Sequence, residues 1–194
     1  MNRVAAVLFG VAGVLTLVGT AMYTFLEPTY YDASTFTDYV SVIGLSVALI
    51  VTGAALVVLW RNPPVQRGAL FLLFAGIGVT AMGIGNLLED AFDIEAGVWG
   101  FLGGGLTMLV SLIIAGISAL TVDNPRRWSG LFLLFASSGA MLGLGLAMMG
   151  VSWILFGLWL AYEHRGFVIA QALTVIPAAV AIYYLYASDL TLPG

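Results

Sequence analysis

The chain contains no cysteine and no lysine; its six basic residues are all arginine. Without thiols there is no disulfide, no thiolate metal site and no cysteine nucleophile. Without a lysine amine there is no Schiff base to retinal or any other carbonyl cofactor. One histidine, His164, cannot supply the paired axial ligands that hold a haem between helices. No cofactor is expected. Charge is scarce as well. Only 8% of the 194 residues are charged, against roughly 25% in soluble proteins. A surface facing water cannot be built from so few polar groups.

What is present is apolar length. Hydrophobic residues make up 61% of the chain, and glycine occurs 24 times. Several uncharged runs are long enough to cross about 30 Å of hydrocarbon at about 1.5 Å per helical residue. The expected fold is all-α, a polytopic transmembrane helix bundle in a single integral membrane domain, 1–194. Spans are predicted at 4–25, 39–60, 68–88, 97–122, 128–147, 149–162 and 166–186. The first of these, Val4–Phe25, has a leading arginine and small residues spaced like a cleavage site, but it is long for the apolar region of a signal peptide.

Trp128–Tyr162 decides the number of spans. It carries no charge. A single helix over it would run about 52 Å, far beyond the hydrocarbon thickness. Two helices would each be near the lower limit of about 17 residues. A tight turn is predicted near Met148–Ser152, where Gly150 and Ser152 are the turn-forming residues. The alternative is six spans plus an interfacial helix over Val151–Tyr162. Charge placement favours seven. With the N-terminus cytoplasmic, Arg3, Arg61, Arg67, Arg126, Arg127 and Arg165 then share the cytoplasmic side, while the acidic loops, Asp189 and the C-terminus lie outside. The tryptophans fit interfacial belts, with Trp60, Trp128 and Trp159 near inner ends and Trp99 and Trp153 near outer ends.

A weak helical-hairpin repeat is visible. Leu70–Ala75 and Leu131–Ala136 both read LFLLFA, and each follows an Asn-Pro turn with arginines, RNPPVQR at Arg61–Arg67 and DNPRR at Asp123–Arg127. Small residues at four-residue spacing, such as Gly100/Gly104, Ala81/Gly85 and Gly44/Ala48/Thr52, predict close helix packing inside the bundle. One such pair, Gly139/Gly143, is a candidate seam between copies of the chain.

Few constellations could carry chemistry. Asn86, Glu89, Asp90 and Asp93 fall at i, i+3, i+4 and i+7, one face of a continuous helix. Carboxylates at a helix C-terminus repel its partial negative charge, so this face is a candidate external metal site for a hard cation such as Ca²⁺, Mg²⁺ or Na⁺. Gly83-Ile84-Gly85-Asn86 resembles the GxGD signature of aspartyl intramembrane proteases, but Asn86 stands where the aspartate must be, and an amide is no general acid or base. Gln171, Thr174 and Pro177 are candidates for a solute path, because proline frees a backbone carbonyl within a span. Glu163-His164-Arg165 could hold an anionic lipid headgroup, but the simpler reading is a helix end meeting water.

These observations favour a non-catalytic multi-pass protein of the cell membrane: an accessory, scaffolding or oligomerising subunit. A small transporter or channel for a cation or small solute, with an acidic external mouth, is the alternative. A lipid-acting membrane enzyme is weaker, for want of a nucleophile–base pair. The expected partners are membrane lipids, with a homo-oligomer or other membrane subunits; no nucleic-acid partner is expected.

Overall fold

The structure, a computed structural model, describes residues 3–26, 35–140, 144–174, 176 and 180. Within them the chain is all-helical, without a strand. Seven α-helices follow in order: α1 (Arg3–Leu26), α2 (Phe36–Arg61), α3 (Ala69–Asn86), α4 (Ala96–Leu120), α5 (Ser129–Ala136), α6 (Leu144–Tyr162) and α7 (Arg165–Leu173). Among the described residues five segments are long and apolar enough to cross a membrane: Arg3–Met22, Phe36–Arg61, Ala69–Ala91, Ala96–Leu120 and Gly145–Tyr162.

Local chemistry sets the ends of these helices. A capping box starts α2: the Thr35 hydroxyl accepts from the Asp38 backbone N–H at 3.2 Å, and the Thr35 N–H donates to Asp38 Oδ2 at 2.8 Å. Gly68 opens α3 in the left-handed region at φ +79°, where a side chain would also run into Ser118 of α4. Asn124 caps a short 3₁₀ turn, Pro125–Trp128, by accepting from the Arg126 N–H at 2.8 Å. His164 caps α7: its Nδ1 accepts from the Gly166 N–H at 3.0 Å.

Backbone packs on backbone at glycines. The most extensive interface joins α3 and α4. A Cβ on Gly97 would stand 2.6 Å from the carbonyl oxygen of Gly85. On Gly116 of α4 it would stand 2.9 Å from the carbonyl of Gly130 in α5, and on Gly76 of α3 3.0 Å from that of Gly53 in α2. On Gly150 of α6 an added Cβ would stand 3.0 Å from the carbonyl oxygen of Gly13 in α1, and on Gly157 2.6 Å from that of Ala6. The later residue of α6 meets the earlier one of α1, so these two helices run antiparallel. Because lipid is as apolar as leucine, such close approach holds helices together where burial of large side chains gains little.

An aromatic seam adds to this. Phe9 of α1 stacks on Trp153 of α6 with ring centroids 4.8 Å apart, and Phe132 of α5 stacks on Phe156 of α6 at 5.3 Å. Trp153 is fully buried. The outer-end position expected for it is therefore corrected: it lies in mid-helix and belongs to the core.

That correction follows from a second one. Met148–Ser152 is not a turn but the interior of α6. The break falls earlier, in a 3₁₀ turn at Ser137–Ala140. Two adjacent serines accompany it. Ser137 Oγ donates to the carbonyl of Leu134 at 2.6 Å, and Ser138 Oγ to that of Phe135 at 2.7 Å. Each bonds three residues back, which favours the tighter 3₁₀ winding. Thr16, Thr52 and Thr80 instead bond four residues back, and their helices continue. The boundaries 128–147 and 149–162 are thus replaced by Ser129–Ala136 with its 3₁₀ extensions and Leu144–Tyr162.

Candidate functional site

The antiparallel order gathers the basic residues at one end of the bundle. Asn62, Pro63 and Gln66 of the α2–α3 turn, Arg126 before α5 and Glu163 before α7 line one cavity of about 430 Å³. A second cavity, about 290 Å³, is lined by Asp123, Arg126, Arg127, Trp128, Trp159, Glu163, Arg165 and Val168 among others. Arg3 reaches the same end through the antiparallel pairing of α1 with α6. The described carboxylates Asp38, Glu89, Asp90, Asp93 and Glu95 lie toward the other end, at the start of α2 and between α3 and α4.

The two cavities share Arg126, Glu163 and Trp159. Between them Arg126 donates to Oε1 of Glu163 at 3.0 Å. Glu163 sits at φ 50°, a left-handed conformation that a non-glycine residue adopts at a cost. Its N–H donates to the Trp159 carbonyl at 2.7 Å, which closes α6 before α7 begins. The Arg127 guanidinium lies 5.2 Å from the centroid of the Trp128 ring. Sequence reasoning placed the arginines on one side but missed this clasp, because no spacing relates Arg126 to Glu163.

The residues singled out from sequence are placed as follows. Asn86 ends α3 and is buried; its Nδ2 donates to Ser46 Oγ at 3.0 Å and to the Val42 carbonyl at 3.5 Å, both on α2. Beyond it the helix widens into a π-helical turn, Leu87–Ala91, that carries Glu89 and Asp90. Asp93 follows at φ 52°. The i, i+3, i+4, i+7 register requires a continuous α-helix, and the π turn removes it. Among the described residues no group of three His, Cys, Asp or Glu converges to hold a metal ion. The four residues of the expected external cation site, Asn86, Glu89, Asp90 and Asp93, thus do not share one α-helical face.

Gln171 is almost wholly buried. Its Nε2 donates to Ser152 Oγ of α6 and to Thr174 Oγ1, each at 3.1 Å. Gln171 and Thr174 are thus brought together, with Ser152 as a partner that sequence reasoning missed. Among the described residues Gln171 Oε1 has no hydrogen-bond partner. Pro177 lies outside the described residues. Gly139 is buried against Met149 of its own α6, whose Cβ would stand 2.8 Å from an added methyl. Met149 thus occupies the space beside Gly139 from within the chain; Gly143, its partner in the expected seam, lies outside the described residues.

The chain matches no family model, no curated protein and no solved structure. The function must be argued from the geometry above.

Proposed function

We propose that the chain is a non-catalytic multi-pass membrane protein, an accessory or scaffolding subunit, with its arginine end in the cytoplasm. The observation that carries this reading is the close packing of the described helices. Glycine contacts close the α3–α4 interface to backbone distance. The buried amide of Asn86 is taken up by Ser46 between two helices. Buried Thr16 and Thr52 bond back to their own helices. Inside hydrocarbon such internal pairing is what a packing element needs, and a solute path would need polar groups facing water.

In this reading α5 with its 3₁₀ extensions makes one short crossing and the apolar run 166–186, which opens with α7, makes the last, giving seven in all. The positive-inside tendency then sets the orientation, with an external C-terminus. The shared burial of Leu72 with Leu133 and of Ala75 with Ala136 supports a common origin for the two LFLLFA hairpins. Exposed Trp99, Leu102, Leu106 and Val110 on α4 give an apolar flank to lipid, a second copy or another subunit.

One observation favours the transporter reading: Oε1 of Gln171, a buried acceptor without a partner among the described residues, which a passing solute or ion could use.

Two measurements test the proposal. The chain has no native cysteine, so single cysteines replacing Arg67, Asp93 and Arg165 report sidedness. Arg67 and Arg165 should label from the cytoplasm and Asp93 from outside; Arg165 on the side of Asp93 would overturn the seven-crossing topology. Proteoliposomes should pass Na⁺, Ca²⁺ and small neutral solutes no faster than protein-free vesicles. A flux that Gln171→Leu abolishes would replace the scaffold with a transporter.

A further inference from the structure

We propose that the cavity lined by Arg126, Arg127 and Arg165 binds the phosphate of an anionic phospholipid, with an acyl chain lying along α7. Three guanidinium groups face two carboxylates, Asp123 and Glu163, leaving one positive charge in excess. Glu163 already holds Arg126. The Arg127 guanidinium lies 5.2 Å from the centroid of the Trp128 ring, and among the described residues it is in no ion pair within 4.0 Å. Among the described residues Arg165 has no ion pair within 4.0 Å. The Gly166 N–H at the start of α7 is taken by His164, so the arginines rather than the helix terminus supply the donors. The planar guanidinium fork matches phosphate oxygens two at a time.

The volume suits a headgroup. At about 290 Å³ the cavity could hold roughly ten waters at about 30 Å³ each, enough for a hydrated phosphodiester. Trp128 and Trp159 line it, and indoles favour the headgroup level of a bilayer.

The outer face of α7 selects lipid over a free anion. Val168 lines the cavity. Next to it Ile169 is exposed, followed by Leu173, Ile176 and Val180 at 55%, 59% and 48%. Ile169 and Leu173, four residues apart, share one face of α7. An apolar strip therefore leads away from a cationic cavity, with the geometry of a headgroup joined to a chain. Basic pockets at the ends of membrane helices are suited to acidic headgroups on electrostatic grounds. The proposal rests on the helices crossing a membrane, not on the scaffold role. A failed sidedness result and a failed lipid result would therefore be separately visible.

The test uses the full chain in mild detergent, with lipid occupancy read by native mass spectrometry. Phosphatidylglycerol, phosphatidylcholine and inorganic phosphate are titrated separately. Phosphatidylglycerol should bind at least tenfold tighter than either of the others. Arg127→Gln and Arg165→Gln should each weaken its binding about fivefold, from about 1 kcal/mol per arginine. Arg3→Gln, at the same end but outside the cavity, should change it less than twofold. Equal affinity for the two lipids overturns the proposal, as does an equal loss in Arg3→Gln, which would signal surface potential alone. Inorganic phosphate binding as tightly as phosphatidylglycerol also overturns it, in favour of a soluble anion. The comparison of ligands on the unsubstituted chain decides the matter even if a variant fails to fold.

Discussion

Arg126 and Glu163 meet at 3.0 Å and tie the turn before α5 to the turn before α7. Both side chains are about half exposed, 49% and 44%. A pair this wet contributes on the order of 0.2–1 kcal/mol. The backbone of Glu163 works against it, because its φ of 50° costs on the order of 1 kcal/mol for a residue with a Cβ. Glu163→Gly removes the pair and the strain together, so its stability should stay within about 1 kcal/mol of the parent chain. Glu163→Ala removes the pair and keeps the strain, so it should melt below Glu163→Gly. Thermal unfolding in detergent gives the order; equal melting points would mean no strain at this residue.

Gly85 and Gly103 make a matched pair of probes. A methyl on Gly85 would collide with the Gly97 carbonyl at 2.6 Å and with the backbone of Phe101. A methyl on Gly103 would meet nothing within 4 Å. Gly85→Ala should destabilise by about 1–3 kcal/mol, as overpacking does. Gly103→Ala should be neutral or slightly stabilising, since alanine is the better helix former by about 1 kcal/mol. Unfolding titrations in mixed detergent micelles would show it, and a neutral Gly85→Ala would contradict the close α3–α4 contact.

The positions of α1 to α4 were legible because each is a long apolar run between charged or proline-bearing turns. RNPPVQR and DNPRR mark ends that no helix could run through. The α5–α6 region was not legible in the same way. Gly150 and Ser152 carry turn chemistry by composition, yet Gly150 serves to admit Gly13 of α1, and Ser152 serves as partner to Gln171. A glycine that ends a helix and a glycine that lets another helix approach look alike in one sequence. The winding of the acidic end of α3 was hidden for a related reason. Its register assumed 3.6 residues per turn, and nothing in LLEDA announces a π-helical turn. The arginine end was legible as charge placement, but the Arg126–Glu163 clasp depends on two turns meeting in space.

Asn86 and Ser46 should behave as one unit. The amide donates to the hydroxyl at 3.0 Å across the α2–α3 interface. Interhelical hydrogen bonds in membranes contribute about 0.6 kcal/mol on average and up to about 1.7. Asn86→Ala and Ser46→Ala should each destabilise within that range, and the double variant by less than their sum. Additive losses would mean the two side chains do not interact. Added Ca²⁺ should leave the melting temperature of the parent chain unchanged; a rise of several degrees would restore the acidic cation site.

Ser137 and Ser138 test what bends the chain between α5 and α6. If their hydroxyls set the 3₁₀ winding, replacing both with alanine lets an α-helix run on through Ala140. The two windings differ by about 20° per residue. Over the turn that rotation would swing Gly139 away from Met149, against which it packs without room for a methyl. The double variant should therefore lose about 1–3 kcal/mol, despite gaining two good helix formers. Hydrogen exchange at the amides of residues 138–140 separates two causes of the bend. Slower exchange with lower stability means that the hydroxyls impose the turn and the packing depends on it. Unchanged exchange and stability mean that the Gly139–Met149 contact imposes the turn, and the serines only satisfy the carbonyls of Leu134 and Phe135 that it leaves unpaired.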